Sequence, residues 1–105
     1  MNVLICQPTR HRTYVELLAV RSEATIACKQ NFGTSCNLRY SYIPANYNNP
    51  SLFLVSVGLK DMDKSDAAVF CNGWEDDRVC LIEHYVATLY NKKIYYFTGK
   101  ELVPQ

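Results

Sequence analysis

Short apolar runs alternate with segments of helical period, and this alternation constrains the chain more than any other feature. Residues 2–6 (NVLIC), 67–71 (AAVFC) and 93–97 (KIYYF) each have the length of a strand. Unbroken apolarity suits strands covered on both faces. Residues 38–43 (LRYSYI) alternate instead and are rich in strand formers. Between these runs, Thr13-Tyr-Val-Glu16 reads as a capping box. It predicts a helix over about 14–31, with an imperfect stripe of Val15, Leu18, Ala19 and Ile26 and a stop at Gly33. Asn49 and Pro50 suit the cap and first position of a second helix, in which Leu52, Val55, Leu59 and Met62 repeat at helical spacing. A third helix is predicted over about 75–90, with Val79, Ile82, Val86 and Leu89 inward. The tail TGKELVPQ carries no reading. The order β-α-β-α-β-α-β implies one α/β domain over 1–105, a parallel sheet of four to five strands between helical layers.

Charge and cysteine narrow the function classes. The 105 residues carry a net charge of +1 with both signs mixed along the chain, which argues against duplex nucleic acid as a partner. No apolar run approaches the ~18 residues that span a bilayer. The opening MNVLICQPTRHR places its cations after the apolar stretch, the wrong order for a signal peptide, so a cytoplasmic protein is expected. The cysteine count is five, with no C-x-x-C and no paired Cys/His spacing. Buried, reduced thiols are expected, and neither a metal nor a cofactor.

In a parallel sheet of this kind ligands bind beyond the carboxyl ends of the strands, where the strand order switches. That rule selects the loops Gln7–Arg12, Pro44–Pro50 and Asn72–Asp77, all polar or charged. The stretch NGWEDDRVCLIEH (72–84) then stands out, because Glu83 interrupts an otherwise apolar helical pattern. On a continuous helix Asp76 and Glu83 fall about 20° short of two full turns, nearly on one face. A carboxylate there leans toward the helix N-terminus and so toward the pocket. It suits a nucleophile at a sugar anomeric carbon or an acceptor for ribose hydroxyls. Pairing of Glu83 with His84 or a surface lysine stands beside these as the plain alternative.

The stretch DAAVFCNGWEDDRVCLIEHYVATLYNKKIYY resembles the second half of nucleoside 2-deoxyribosyltransferase-like domains, closest to a short branch found in phages and bacteria. Asp66, Gly73-Trp74-Glu75, Arg78-Val79 and Glu83-His84 hold the matching places. The opening VLICQPTRHRTYVELLAVRSEA is similar to the same branch, and residues 34–50 match least. The resemblance implies a flavodoxin-like fold, a nucleoside or nucleotide pocket and a homo-oligomer. It puts the nucleophile on Glu83 and a sugar- or phosphate-holding role on Asp77. If the chain is phage-encoded, it implies work in the host cytoplasm. Two places depart from the family. Val79 stands where a glycine precedes the nucleophile, and Gly58 stands where catalytic members carry an acid.

The ligand-binding candidates are Gln7, Pro8, Arg10, His11, Arg12, Tyr47, Asn72, Gly73, Trp74, Asp76 and Arg78. The arginines suit phosphate by bidentate bonding, or form a solvated cationic turn. Trp74 suits base stacking or, preferably, a half-buried core role. Tyr47 among asparagines suits a pocket rim or, more simply, a turn. His84 faces another side of the helix and is expected at the surface or an interface. Tyr95 and Tyr96 are expected to be structural. Two function classes follow: cleavage or transfer at an N-glycosidic bond through Glu83, and nucleotide binding without turnover, as in a phage anti-defence protein that sequesters a host nucleotide signal. An interaction protein whose helix faces build an oligomer is a third.

Overall fold

The computed structural model describes residues 1–41 and 52–105. Its elements are β1 (Asn2–Cys6), α1 (Tyr14–Phe32), β2 (Asn37–Tyr40), α2 (Leu52–Asp63), β3 (Ala67–Cys71), a 3-10 turn (Trp74–Asp76), α3 (Arg78–Leu89), β4 (Lys93–Phe97) and β5 (Leu102–Pro104). The strands form one sheet in the order β2-β1-β3-β4-β5. β1 through β4 run parallel and β5 runs antiparallel to β4. The sheet is therefore mixed, which corrects the expectation of a parallel sheet throughout. The physical cause lies in TGKELVPQ, which carried no reading. Thr98 and Glu101 close a turn through a backbone bond of 3.1 Å, and Gly99 takes φ 99°, so the chain reverses there. Leu102 is then buried in the core on the α1 side of the sheet.

β1, β3 and β4 are the interior strands, and Val3–Cys6 of β1 and Ala67–Cys71 of β3 have no exposed surface. Their alternation divides the core in two. Val3, Ile5, Ala67, Val69 and Cys71 pack with Ala24, Ala27 and Cys28 of α1. Leu4, Cys6, Ala68 and Phe70 face the other way, against Met62 of α2 and Cys80 and Ala87 of α3. The molecule is thus a three-layer α/β sandwich. The capping box of α1 is present: Glu16 N donates to Thr13 Oγ1 at 3.2 Å and Thr13 N to Glu16 Oε1 at 3.1 Å.

On α2 the predicted Val55 and Met62 are buried, with Leu52 exposed, whereas the inward faces of α1 and α3 differ from the predicted stripes. On α1 the buried residues are Leu17, Ala24, Ala27 and Cys28, while Val15, Leu18 and Ile26 are exposed. On α3 they are Cys80, Glu83 and Ala87, while Leu89 is exposed. Small side chains let a helix lie close to the sheet, so the bulkier neighbours turn outward. This register makes Glu83 a core residue. β2 is Asn37–Tyr40, and the rest of the expected strand at 42–43 and the predicted cap at Asn49 and Pro50 lie outside the described residues. All five cysteines are buried and none is in a disulfide. No helix among the described residues is long and apolar enough to cross a membrane.

Candidate functional site

The loops after β1 and β3 meet at the carboxyl end of the sheet, and Asp77 joins them. Its Oδ1 accepts from the backbone amides of Val79 (3.0 Å) and Cys80 (3.1 Å), capping α3. Its Oδ2 accepts from the amide of Thr9 at 3.0 Å. The side chain is buried, and both oxygens already bind backbone donors. An aspartate suits this position because the first amides of a helix have no intrahelical partner. Asp77 at φ −114°, ψ 122° is extended, and the 3-10 turn precedes it. Asp76 therefore lies outside the helix, exposed, and does not share a face with Glu83. This corrects the predicted continuous helix over 75–90.

Gly73 opens the 3-10 turn at φ 93°, a conformation that favours glycine. A side chain there would also collide with the loop after β1. A Cβ built on it would stand 2.6 Å from Arg12 Nη2 and 3.5 Å from Pro8 Cγ. Arg12 thus crosses the Gly73 turn, while its Nη1 donates to the Arg10 carbonyl at 2.9 Å. Gln7 is buried and holds the loop from beneath. It donates to the Leu17 carbonyl (2.9 Å) and to Ser41 Oγ (3.2 Å), and accepts from Arg21 Nε (3.1 Å). Arg10, His11, Asn72 and Arg78 are exposed at this edge. Tyr47 lies outside the described residues.

Glu83 sits deeper. Its side chain is 1% exposed, and neither carboxyl oxygen has a hydrogen-bond partner among the described residues. A Cβ built on Gly58 of α2 would fall 2.8 Å from Glu83 Oε2 and 3.6 Å from its Cδ. The carboxyl therefore occupies the place a side chain on α2 would fill. Burial, reinforced by the Asp77 charge, pushes the Glu83 pKa up to about 8, and Asp61 adds to the rise. The Cys6 thiol at the end of β1 lies alongside and opposes the rise as a weak donor, without satisfying either oxygen. Burial and the Glu83 charge in turn raise the Cys6 thiol well above its ordinary value.

Trp74 and His84 form the opposite flank. Their rings stack at 4.1 Å and 15°, with Tyr96 parallel to Trp74 at 5.7 Å. His84 Nε2 and the Tyr96 hydroxyl lie 2.8 Å apart. Desolvation lowers the His84 pKa, with Glu75 opposing. His84 is thus a half-buried member of an aromatic stack, where a surface or interface position was expected. Trp74 takes the half-buried core role.

The structure thus joins Pro8, Arg12 and Gly73 where the two loops meet, with Asp77 tied to Thr9 beside them and Gln7 beneath. Glu83 lies deeper against Gly58, Trp74 belongs to a separate aromatic stack, and Arg10, His11, Asn72, Asp76 and Arg78 are on the surface. Sequence reasoning missed Gly58 as the contact of Glu83 and Arg21 as the support of Gln7. The signal for Gly58 was available: a glycine inside a helix costs about 1 kcal/mol against alanine and usually has a packing reason. The grooves at Leu59, Met62, Tyr90 and Lys92 and at Lys60 and Lys64 lie at the other end of the strands. No group of three or more metal-ligating side chains is assembled among the described residues. No family model, curated protein or solved structure matches this chain.

Proposed function

We propose that this chain is a nucleoside- or nucleotide-binding domain of the nucleoside 2-deoxyribosyltransferase type, flavodoxin-like in fold, in which Glu83 meets the sugar. One observation carries the reading. A glutamate is buried beneath the carboxyl end of β1 with both carboxyl oxygens unpartnered among the described residues. Buried polar groups are otherwise paired, and an exception calls for an explanation such as a ligand. The strand order supports the location, because β1 and β3 are neighbours with connections leaving to opposite sides, which makes their carboxyl ends the switch point.

In the catalytic form, the Glu83 carboxylate attacks C1′ as the bond to the base breaks. The base leaves with the electron pair and takes up a proton, and water or a second base then releases the sugar. Asp77 acts here by fixing the loop after β1 to the start of α3, since both of its oxygens hold backbone amides. Ionised Glu83 is the nucleophile, so turnover rises with pH toward about 8 and then levels. Arg10 and Arg12 supply charge for a phosphate.

Binding without turnover is the second reading. Its support is that Glu83, with its pKa raised to about 8, is mostly uncharged at pH 7, a state suited to holding a ligand rather than attacking it. Val79 in the place of the family glycine favours the same reading. A phage protein that sequesters a host nucleotide signal would be such a case. The exposed Val15, Leu18, Ile26, Leu81, Tyr85 and Leu89 support a homo-oligomer, which sedimentation would test.

Mass spectrometry after incubation with nucleosides, deoxynucleotides and cyclic or base-modified nucleotides separates the two. Free base with sugar phosphate in solution establishes glycosidic chemistry. An intact nucleotide released on denaturation establishes binding. If neither product nor bound nucleotide is found, the pocket reading fails and the fold stands. Glu83→Gln should abolish turnover and retain binding, and Arg10→Ala should weaken phosphorylated ligands more than free nucleosides.

A further inference from the structure

Glu83 and Gly58 face each other across the seam between α2 and α3. With the Gly58 hydrogen replaced by a methyl group, the carbon would lie 2.8 Å from Oε2, closer than real Cβ contacts come. The missing side chain on α2 is therefore a notch, and the Glu83 carboxyl fills it. No hydrogen bond among the described residues satisfies either oxygen, and the Cys6 thiol alongside is only a weak donor.

We propose that Gly58 and Glu83 form a latch between α2 and α3: the uncharged carboxyl lies in the notch, and ionisation drives it out and opens the seam. The groups around the carboxyl give the direction. Asp77 at the start of α3 and Asp61 on α2 act on Glu83 as like charges, while the thiols of Cys6 on β1 and Cys80 on α3 lie beside it. The Arg39 guanidinium pairs with Asp61 at 3.2 Å, and no cation among the described residues is paired with Glu83 itself. An uncharged carboxyl tolerates this setting, whereas among the described residues a carboxylate there has no adjacent counter-charge and only the weak Cys6 thiol as donor, a costly condition for a buried group. Release toward solvent relieves it. The raised pKa of Glu83, about 8, agrees with this order of events. Gly58 is thus a positioning residue, acting on ligand or sugar only through Glu83. The latch concerns the same carboxyl as the nucleotide reading, yet its test needs no ligand, so each can fail alone.

Cys6 and Cys80 line the closed seam with 0% and 1% exposure, and their alkylation reports its opening. Iodoacetamide labelling would be followed at pH 6 and pH 9, with sites read by mass spectrometry. Thiols ionise more as pH rises, so every rate is compared with Glu83→Gln and Glu83→Met at the same pH. The expected result is equal labelling of all three proteins at pH 6. At pH 9 wild type should exceed both variants at least tenfold at Cys6 and Cys80. Gly58→Ala should label at pH 6 at least tenfold faster than wild type, because the methyl group and the carboxyl compete for one place. Adding Glu83→Ala to Gly58→Ala should restore protection, which a general loosening of α2 would not allow. Wild type and both Glu83 variants tracking together at every pH would overturn the latch, and so would unaltered protection in Gly58→Ala. Should Gly58→Ala fail to fold, the comparison of wild type with the Glu83 variants decides alone.

Discussion

Asp77 and Glu83 are buried carboxyl groups six residues apart along one stretch of chain, and their surroundings are opposite. Asp77 receives three backbone amides and ties two loops to a helix. Glu83 receives none and rests against a glycine. The first is what a buried acid looks like when it stabilises a fold. The second adds nothing to the fold that an apolar residue of similar size would not add better. The difference is what motivates the proposal of a ligand at Glu83, because a buried polar group without a partner calls for an explanation.

The largest expected effect concerns the pH dependence of stability. Unfolded, Glu83 titrates near 4.5, and in the fold near 8. Between those values the unfolded chain has released the proton that the folded chain retains. The folded state binds more protons, so stability falls as pH rises and levels above about 8. The full loss is on the order of 3–5 kcal/mol, smaller to the extent that the seam opens and relieves it. Glu83→Met should remove that slope and make the protein about 1–3 kcal/mol more stable at pH 7. Urea unfolding at four or five pH values would show both, and a Glu83→Met protein less stable than wild type at pH 7 would break the contrast.

Asp77→Ala should act in the other direction. Losing the cap and leaving buried amides unpaired should cost about 3 kcal/mol at pH 6, measured by the same unfolding curves. Asp77→Asn keeps a capping oxygen and removes the charge, so it should cost less and move the Glu83 transition to lower pH. A Glu83 transition unmoved by Asp77→Asn would show that the two carboxyls do not sense each other. The smallest effect is expected from Cys6→Ser. A hydroxyl is a stronger donor than a thiol, so the same transition should shift downward with a stability change within about 1 kcal/mol.

Much of this contrast was legible in the residues themselves. β1, β3 and β4 coincide with their apolar runs, and the capping box of α1 falls where Thr13 and Glu16 put it. These signals are local, so no tertiary context was needed. The inward face of α3 was not legible. Val79, Ile82, Val86 and Leu89 repeat at helical spacing and are bulkier than Cys80 and Ala87, yet the small residues are the fully buried ones, while Val86 only flanks the core and Leu89 is exposed. The helix start also depended on a distant partner, since Asp77 is held in its extended conformation as it bonds the loop after β1. β5 pairs only three residues, and its place follows from burial of Leu102. Glu83 was singled out from the sequence as an anomaly in an apolar pattern. That α3 turns it into the core, against Gly58, emerged from packing alone.

The stack of Trp74 on His84 has a practical consequence. Trp74 is the chain's single tryptophan, and it touches the residue that follows Glu83. Its fluorescence is thus a built-in optical probe of α3. Protonation of His84, whose pKa lies below the ordinary 6.5, should quench the emission in the acid range. Movement of α3 on Glu83 ionisation should alter it near pH 8. One unlabelled fluorophore therefore records two titrations in separate pH windows, and a ligand that reaches Glu83 should displace only the second.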